Sequence, residues 1–386
     1  MKFALIGADT NTRRAEAKAA GFNMAFVDTY WDRLQPSGTG SVDSGEITAI
    51  KGAIADCQSK SMGIIFTLNL QYPPAWVLSG VEKFKDQTNV EFDLTDTANG
   101  EAVRNWMFTS TGRAYVLDVV TRLTNALTVA ERAAVDSIRL GGGSLGELHV
   151  PAKDSDSAVD MAWQAYSTSL QAGTGIATGL SACPNPGFIP FAGGTTDADN
   201  SEFLNWYLNL NTNWMEWQIN TWRSLGWACR LHILLPGHGI RFNQTRATVG
   251  YQVAAARMES HYRNIGAMAK YPGVYPYTTW INKAGEWEDG ASGIDSDMAA
   301  WKSVRNKAAM WNLHRHLAGE NTGGETTGQI DDIFAGPLSN NAFAGVEPSP
   351  YGSHYEMFCF LNYTNAIADS GAIMDHLQTK IAAVNG

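Results

Sequence analysis

Two glutamates stand where this chain could do chemistry. Glu147 ends the stretch Gly141-Gly142-Gly143-Ser144-Leu145-Gly146-Glu147, and Glu320 is the centre of Gly319-Glu320-Asn321. Each closely follows a short apolar run, and each sits in a glycine-bearing turn that lets backbone and ligand approach closely. One carboxyl that donates a proton and a second that attacks, or activates water, make the pair that cleavage of a glycosidic bond requires. The acid must keep its proton until the first step, through partial burial and the charge of its partner. A separation of roughly 5–5.5 Å would go with retention of configuration, and roughly 6.5–9.5 Å with inversion. An arbitrary glutamate usually caps a helix or pairs with an arginine. The shared setting of these two sets them apart.

Other residues are candidates for holding a ligand. Asp28 and Tyr30 follow the second apolar run, Asn69 and Gln71 end the third, and His238 ends the fifth. Each could hold sugar hydroxyls or satisfy loop amides. Asn321 adjoins Glu320 and could orient it or shape the turn. Trp76, Trp280 and Trp287 lie beside strand ends and offer flat apolar faces for stacking. Glu286 and Glu288 are reserve carboxyls. His314 and His316 share one face of the seventh run, but two histidines without a third ligand usually pack rather than bind an ion. Neither a metal nor any other cofactor is expected. Cys57, Cys183, Cys229 and Cys359 are far apart and show no CxxC spacing.

These side chains meet only if their strands share one sheet. Apolar runs fall at Phe3–Ile6, Met24–Val27, Gly63–Leu70, Ser137–Leu140, Arg230–Leu235, Val274–Ile281, Leu313–Ala318 and about Glu356–Leu361. Amphipathic stretches separate them, at about 11–20, 45–59, 101–125, 128–135, 201–225, 247–269, 296–309 and 365–383. Eight runs alternating with helices predict an α/β chain folded as a (β/α)8 TIM barrel with loop insertions. The expectation is one catalytic barrel over residues 1–386, with insertions at about 80–100 and 150–200. Glu147 and Glu320 then face each other across the mouth, after strands four and seven. An open doubly wound sheet is the competitor, but Gly7-Ala8-Asp9-Thr10 replaces its usual GxGxxG turn.

Composition narrows the partners. The chain has 386 residues, 44% of them hydrophobic, which is ample for a large core. A net charge of −10, with Lys and Arg few and unclustered, argues against nucleic acid or an anionic membrane as partner. Thirteen Trp and thirteen Tyr suit core packing, with a few turned toward a carbohydrate substrate. Trp206, Trp214, Trp217 and Trp222 lie along one helix and suit core or a homo-oligomer interface. No apolar run is long enough to span a membrane. The start, Met1 to Gly7, lacks the pattern of a signal peptide, which points to the cytoplasm or to part of a larger assembly.

The stretch Ile138 to Pro151, read as I-R-L-G-G-G-S-L-G-E-L-H-V-P, resembles the acid-bearing segment G-x-G-P-x-G-E-L-R-x-P of β-amylases. It is also similar to the acid/base segment of family 42 β-galactosidases. Trp31-Asp32-Arg33-Leu34-Gln35-Pro36 resembles the W-x-x-L-x-P loop of the second group, and Pro73-Pro74-Ala75-Trp76 resembles its P-P-A-W turn. The resemblance implies a barrel glycoside hydrolase with Glu147 as general acid/base and Glu320 as nucleophile, in a retaining reaction. It departs at Gly146, where the retaining group usually carries an asparagine that contacts the sugar's 2-hydroxyl. An inverting, β-amylase-like route therefore stays open. So does a barrel that binds a glycan without cleaving it, which would keep aromatic platforms without needing both glutamates.

Overall fold

Each of the eight apolar runs forms a strand in the computed structural model, which describes residues 1–92, 102–151, 162–236, 249–279, 300–313, 316–320, 326–335, 355–360 and 371–385. The strands are β1 (Lys2–Leu5), β2 (Met24–Tyr30), β3 (Gly63–Asn69), β4 (Ser137–Leu140), β5 (Arg230–Leu235), β6 (Val274–Thr278), β7 (Leu317–Glu320) and β8 (Tyr355–Phe360). They pair in chain order, all parallel, and β8 closes on β1 through Lys2↔Met357 to Leu5↔Phe360. The chain is a (β/α)8 barrel.

The helices are α1 (Asn11–Ala19), α2 (Trp31–Leu34), α3 (Ser44–Ser59), α4 (Ala75–Gly80), α5 (Ser110–Ala126), α6 (Val129–Ala133), α7 (Thr168–Ala172), α8 (Asp197–Ser224), α9 (Val249–Met268), α10 (Ala300–Met310), α11 (Thr327–Ala335) and α12 (Ala372–Asn385). Parallel neighbours need such crossovers, which cover the outer face of the sheet.

Period-two alternation decides what each strand shows the interior. Ala4, Met24, Phe26, Ile65, Leu234, Tyr277, Ala318, Met357 and Cys359 fill the barrel. The residues between them, such as Phe3, Val27, Ile64, Phe66, Ile138, Leu231 and Ile233, pack outward against the helices. The same parity turns Asp28, Thr67, Arg139, His232 and Glu320 inward. A filled lower barrel and a polar upper one follow from sequence position alone.

Three boundaries differ from the sequence expectation. Strand seven begins at Leu317, not Leu313. Asn312 turns left-handed at φ 58 after α10, and the Leu313 N–H bonds back to the Ala308 carbonyl. Leu313 is thus the buried stop of a helix. His316 accordingly precedes the strand, and His314 lies outside the described residues. The helix expected over 101–125 begins only at Ser110, where the Thr109 hydroxyl caps Gly112. Val103, Trp106, Met107 and Phe108 before it are fully buried in non-helical backbone. The Trp-rich helix α8 is longer than expected, with 28 residues started by a Thr196–Asp199 capping box. Trp206, Trp214 and Trp222 are buried within this chain.

The amino ends of the strands carry a charge cluster. Lys2 lies 3.9 Å from Asp136 and 3.7 Å from Glu356, and Arg230 Nη1 donates to Glu356 at 2.7 Å. His316 Nδ1 engages the other Glu356 oxygen. Burial opposes ionisation of Glu356, but the His316 and Arg230 bonds and the Arg230 charge outweigh it, so its carboxyl sits below the usual range. That stabilisation is complete above the unfolded value, about 4.3, and fades as pH falls through the folded one. Glu356→Gln is expected to lower unfolding free energy by on the order of 1 kcal/mol at pH 7. Urea titrations should show the gap closing below about pH 4. A gap independent of pH would contradict the assignment.

Candidate active site

The turn after β4 is built to aim one side chain. A Cβ on Gly141 would meet the Gly146 carbonyl oxygen at 1.8 Å, and one on Gly143 would meet the His149 oxygen at 2.6 Å. Only glycine lets the chain fold back so tightly. Leu145 (φ 56) and Gly146 (φ 73) turn left-handed, and Gly142 and Gly143 donate to the Gly146 and Glu147 carbonyls. Three side chains from outside the barrel pin the turn. Trp214 Nε1 (2.6 Å) and Gln218 Nε2 (2.9 Å) donate to the Gly141 carbonyl, and Trp106 Nε1 (3.1 Å) to that of Gly142. Beyond Glu147, the Leu148 N–H bonds to the Leu234 carbonyl at 2.7 Å and stitches the segment onto β5.

Glu147 is 3% exposed and Glu320 is 6% exposed, so neither is a solvated surface carboxylate. Their partners differ. Arg139 Nη1 (2.8 Å) and the Tyr277 hydroxyl (2.7 Å) both donate to Glu320 Oε2. Glu147 Oε1 accepts from the Thr279 hydroxyl at 2.8 Å, and its Oε2 lies 3.5 Å from His149 Nε2.

Burial pushes the Glu320 carboxyl upward; Arg139 and Tyr277 pull it down, and the charge of Glu147 adds to the rise. The two carboxylates therefore feel each other. Burial alone would lower the Arg139 guanidinium, but Glu320, Tyr277 and Asp28 reverse this and hold it protonated. Tyr277 is pushed up chiefly by burial, so it remains a neutral donor. His232, below this layer, is depressed to about 4 by burial and is neutral. Its Nε2 lies 3.2 Å from the His316 carbonyl, a contact that requires an N–H there.

The other candidates separate. Asp28 faces the same interior layer, and burial raises its carboxyl against the pull of Arg139, Thr67 and Asn69. Tyr30 packs edge-on to Tyr72 with Arg33 over its ring at 4.3 Å. Both line a cavity of about 340 Å³, shared with Asp9, Arg33 and Glu46, that opens beside β1 and β2. Asn69 is buried and donates to the Thr29 carbonyl, with Gln71 bonded to its oxygen. Trp76 packs in the helix layer: its ring is edge-on to Trp31 and Tyr115, and its N–H is bonded to the Gln35 carbonyl. It is not brought to the two glutamates. His238, Trp280, Trp287, Asn321, Glu286 and Glu288 lie outside the described residues. Among the described residues no group of three or more His, Cys, Asp or Glu could hold a metal ion.

The sequence reading passed over Arg139, Tyr277, Thr279 and His149. Arg139 carried a signal, being a charge in the middle of an apolar strand with inward parity. Tyr277 shares that inward parity on β6, and Thr279 follows it two residues on, just past the strand end.

Neither a protein-family model nor a curated protein matches this sequence. Solved structures do match in fold. The catalytic domain of a β-amylase from Paenibacillus polymyxa superposes with a TM-score of 0.71 at 14% identity, over 100% of this chain and 98% of that one. A β-galactosidase from the psychrophilic Marinomonas ef1 gives 0.58 at 9% identity, over 100% of this chain and 60% of that one. A β-galactosidase from the haloarchaeon Halorubrum lacusprofundi gives 0.56 at 11%, over 99% and 58%. This chain thus spans about three fifths of the two galactosidases. It shares the barrel fold of these glycoside hydrolases.

Removing Arg139 tests the buried pair without any assay of activity. In Arg139→Gln the Glu320 charge is left uncompensated, which costs about 3–5 kcal/mol. Glu320 then takes up a proton in the folded state more readily than in the unfolded one. Stability must therefore rise as pH falls. Urea unfolding at pH 8 and pH 5.5 should show the deficit shrinking at the lower pH, and Glu320→Gln on top of Arg139→Gln should recover most of it. An equal deficit at both pH values would dissolve the pair.

Proposed function

We propose that this barrel hydrolyses a glycosidic bond, with Glu147 as the acid and Glu320 as its partner carboxylate. The observation that carries the proposal is the unequal company of two buried carboxyls at one barrel mouth. Glu320 faces a fixed cation and a neutral hydroxyl donor, which favour its ionised form. Among the described residues Glu147 has a neutral hydroxyl and an imidazole beside it but no fixed cation. Burial raises the Glu320 carboxyl on balance, and the Arg139 cation and the Tyr277 hydroxyl work against that rise; a carboxyl held by a cation suits the attacking role, and one without suits the acid.

A retaining route follows readily from this arrangement. Arg139 and Tyr277 both engage Oε2 of Glu320, which leaves Oε1 to attack the anomeric carbon. Glu147 gives its proton to the departing oxygen as the glycosidic bond breaks. Glu147, now ionised, then takes a proton from water as that water displaces Glu320 from the sugar. Asp28 and Tyr30, on the cavity wall beside β2, would hold hydroxyls of the bound sugar, and Asn69 would hold Asp28 in place. The inverting route keeps one specific observation in its favour: Gly146 offers no side chain for a 2-hydroxyl, and the Gln71 amide would lie only 3.1 Å from a Cβ there.

The test is a panel of aryl glycosides and polysaccharides with wild type, Glu147→Gln and Glu320→Gln. Loss of Glu320 should cost roughly a thousandfold or more in kcat/KM, about 4 kcal/mol of transition-state stabilisation. Glu147→Gln should cost roughly 10²–10⁴-fold on poor leaving groups and far less on dinitrophenyl glycosides, which need no protonation. Proton NMR of the first-formed sugar anomer separates retention from inversion. A wild type inert across the panel, yet binding glycans, would replace hydrolysis by recognition.

A further inference from the structure

Gln71 lies two residues beyond β3 and is only 6% exposed. Its backbone is held, since the Ala102 N–H bonds to its carbonyl at 2.9 Å. Its amide is not. Among the described residues that amide makes one long hydrogen bond, from Nε2 to Asn69 Oδ1 at 3.4 Å, and Oε1 accepts none. Gln35, at 1% exposure, shows what a structural amide does. It accepts from Trp31 at 3.2 Å and donates to Asp118 at 2.7 Å and to the Ser41 carbonyl at 3.2 Å. An amide largely withdrawn from water, with an idle donor and an idle acceptor, carries a cost that a partner would remove.

The neighbours of the amide set its place. A Cβ on Gly146 would lie 3.1 Å from Gln71 Nε2 and 3.4 Å from Oε1. The amide therefore borders the space that a side chain next to Glu147 would enter, and Gly146, at φ 73, has none to put there. On the other side stands Asn69, which donates to the Thr29 carbonyl and lies beside the Asp28 carboxyl. A cavity of about 20 Å³ adjoins the amide, and its lining includes Asn69, Arg139 and Gly146. It has room for one oxygen-sized group rather than a sugar ring. Gln71 thus stands between the backbone that carries Glu147 and the carboxyl that β2 turns inward, with a donor and an acceptor both uncommitted.

We propose that Gln71 is a specificity-determining residue whose amide reads one hydroxyl of the sugar seated beside Glu147, with Nε2 donating to the hydroxyl oxygen and Oε1 accepting its hydrogen. The inference rests on the reading that a sugar enters this mouth. A hydroxyl is donor and acceptor at once, and so is the open edge of the amide. A carboxylate would leave Oε1 facing another acceptor, and an ammonium would leave Nε2 facing another donor. The hydroxyls of Thr279 and Tyr277 already donate to Glu147 and Glu320, so their hydrogens are not available to a sugar.

A cycle of substitutions on both enzyme and substrate tests this. Wild type, Gln71→Met and Gln71→Ala are assayed on 4-nitrophenyl glucosides and galactosides of both anomers, and on their monodeoxy forms with one hydroxyl removed at a time. Gln71→Met keeps the reach of the side chain and loses both hydrogen-bonding ends. In wild type, loss of the hydroxyl that Gln71 reads should cost roughly tenfold to a hundredfold in kcat/KM. In both variants that penalty should fall close to nothing, while the penalties at the other positions stay as they were. Each penalty is a ratio within one variant, so partial unfolding cannot imitate the result. An amide that only supports the turn would lower kcat/KM for the parent and every deoxy form alike, and that outcome overturns the proposal. Where nothing is cleaved, the same cycle is read as Kd by titration calorimetry. Coupling at one position then keeps Gln71 as a reader of the sugar and removes the hydrolytic reading, whereas cleavage without coupling does the reverse. A protein that neither cleaves nor binds any of these glycosides overturns both.

Discussion

A guanidinium inside a closed barrel is the constraint on which the upper half of this structure depends. Arg139 comes from the middle of β4, and its side chain is largely withdrawn from water. Taking such a charge out of water costs several kcal/mol unless an opposite charge and hydrogen bonds replace the solvent. Glu320 reaches it from β7 at 2.8 Å, Tyr277 bonds the same carboxylate from β6, and Asp28 adds negative charge from β2. The rings of Phe26 and Tyr277 lie 5.2 and 5.8 Å from the cation. Four strands of the ring are thereby tied to one charge. Glu320 cannot be an incidental carboxylate, because the cation requires it.

Glu147 is held by a different device. It is not bound to the cation but carried on a turn whose backbone crosses itself, which only glycine at Gly141 and Gly143 permits. Backbone packed this closely has carbonyls that must be satisfied. The indole of Trp214 and the amide of Gln218 supply donors from α8, and the indole of Trp106 supplies one from the segment before α5. The aromatic load of the chain is partly explained here: a buried indole fills volume and still offers one N–H where a carbonyl needs it. A carboxyl on rigid backbone and a carboxyl locked to a cation are both preorganised, but among the described residues only the second has a fixed counter-charge.

Much of this was legible in the sequence, for a physical reason. Strand positions follow from short apolar runs between turns, and parity along a strand fixes which side chains enter the barrel. Hence β4 and β5 fall where their patterns place them, and Glu320 shares the inward parity of Ala318. Cross-barrel partnership is not written in any local pattern. Nothing near Glu320 in sequence announces Arg139, which is 181 residues away. Local caps also escaped a periodicity reading. Asn312 ends α10 in a left-handed turn, so the apolar Leu313 belongs to a helix stop rather than to β7. Trp76 shows the opposite limit. A tryptophan after a strand suits stacking on a sugar, yet its neighbours Trp31 and Tyr115 enclose it among helices.

The two ends of the barrel spend charge differently. At the amino ends Lys2, Arg230 and His316 gather round Glu356, whose side chain is about a quarter exposed (23%). Water shares that cluster, so each pair contributes modestly and mutual shielding limits its reach. At the carboxyl ends Glu147 and Glu320 are almost fully withdrawn, and their interactions act through a medium that screens them far less. A charge held there is costly for stability, and nothing in the packing of a barrel demands it. Residues such as Ala4, Met357 and Cys359 show that these strands can fill the interior with apolar side chains. The mouth departs from that solution at Asp28, Arg139, Glu147 and Glu320 together. An arrangement that forgoes stability at four neighbouring positions is not what closing a barrel requires, and it is the feature on which the hydrolytic proposal is built.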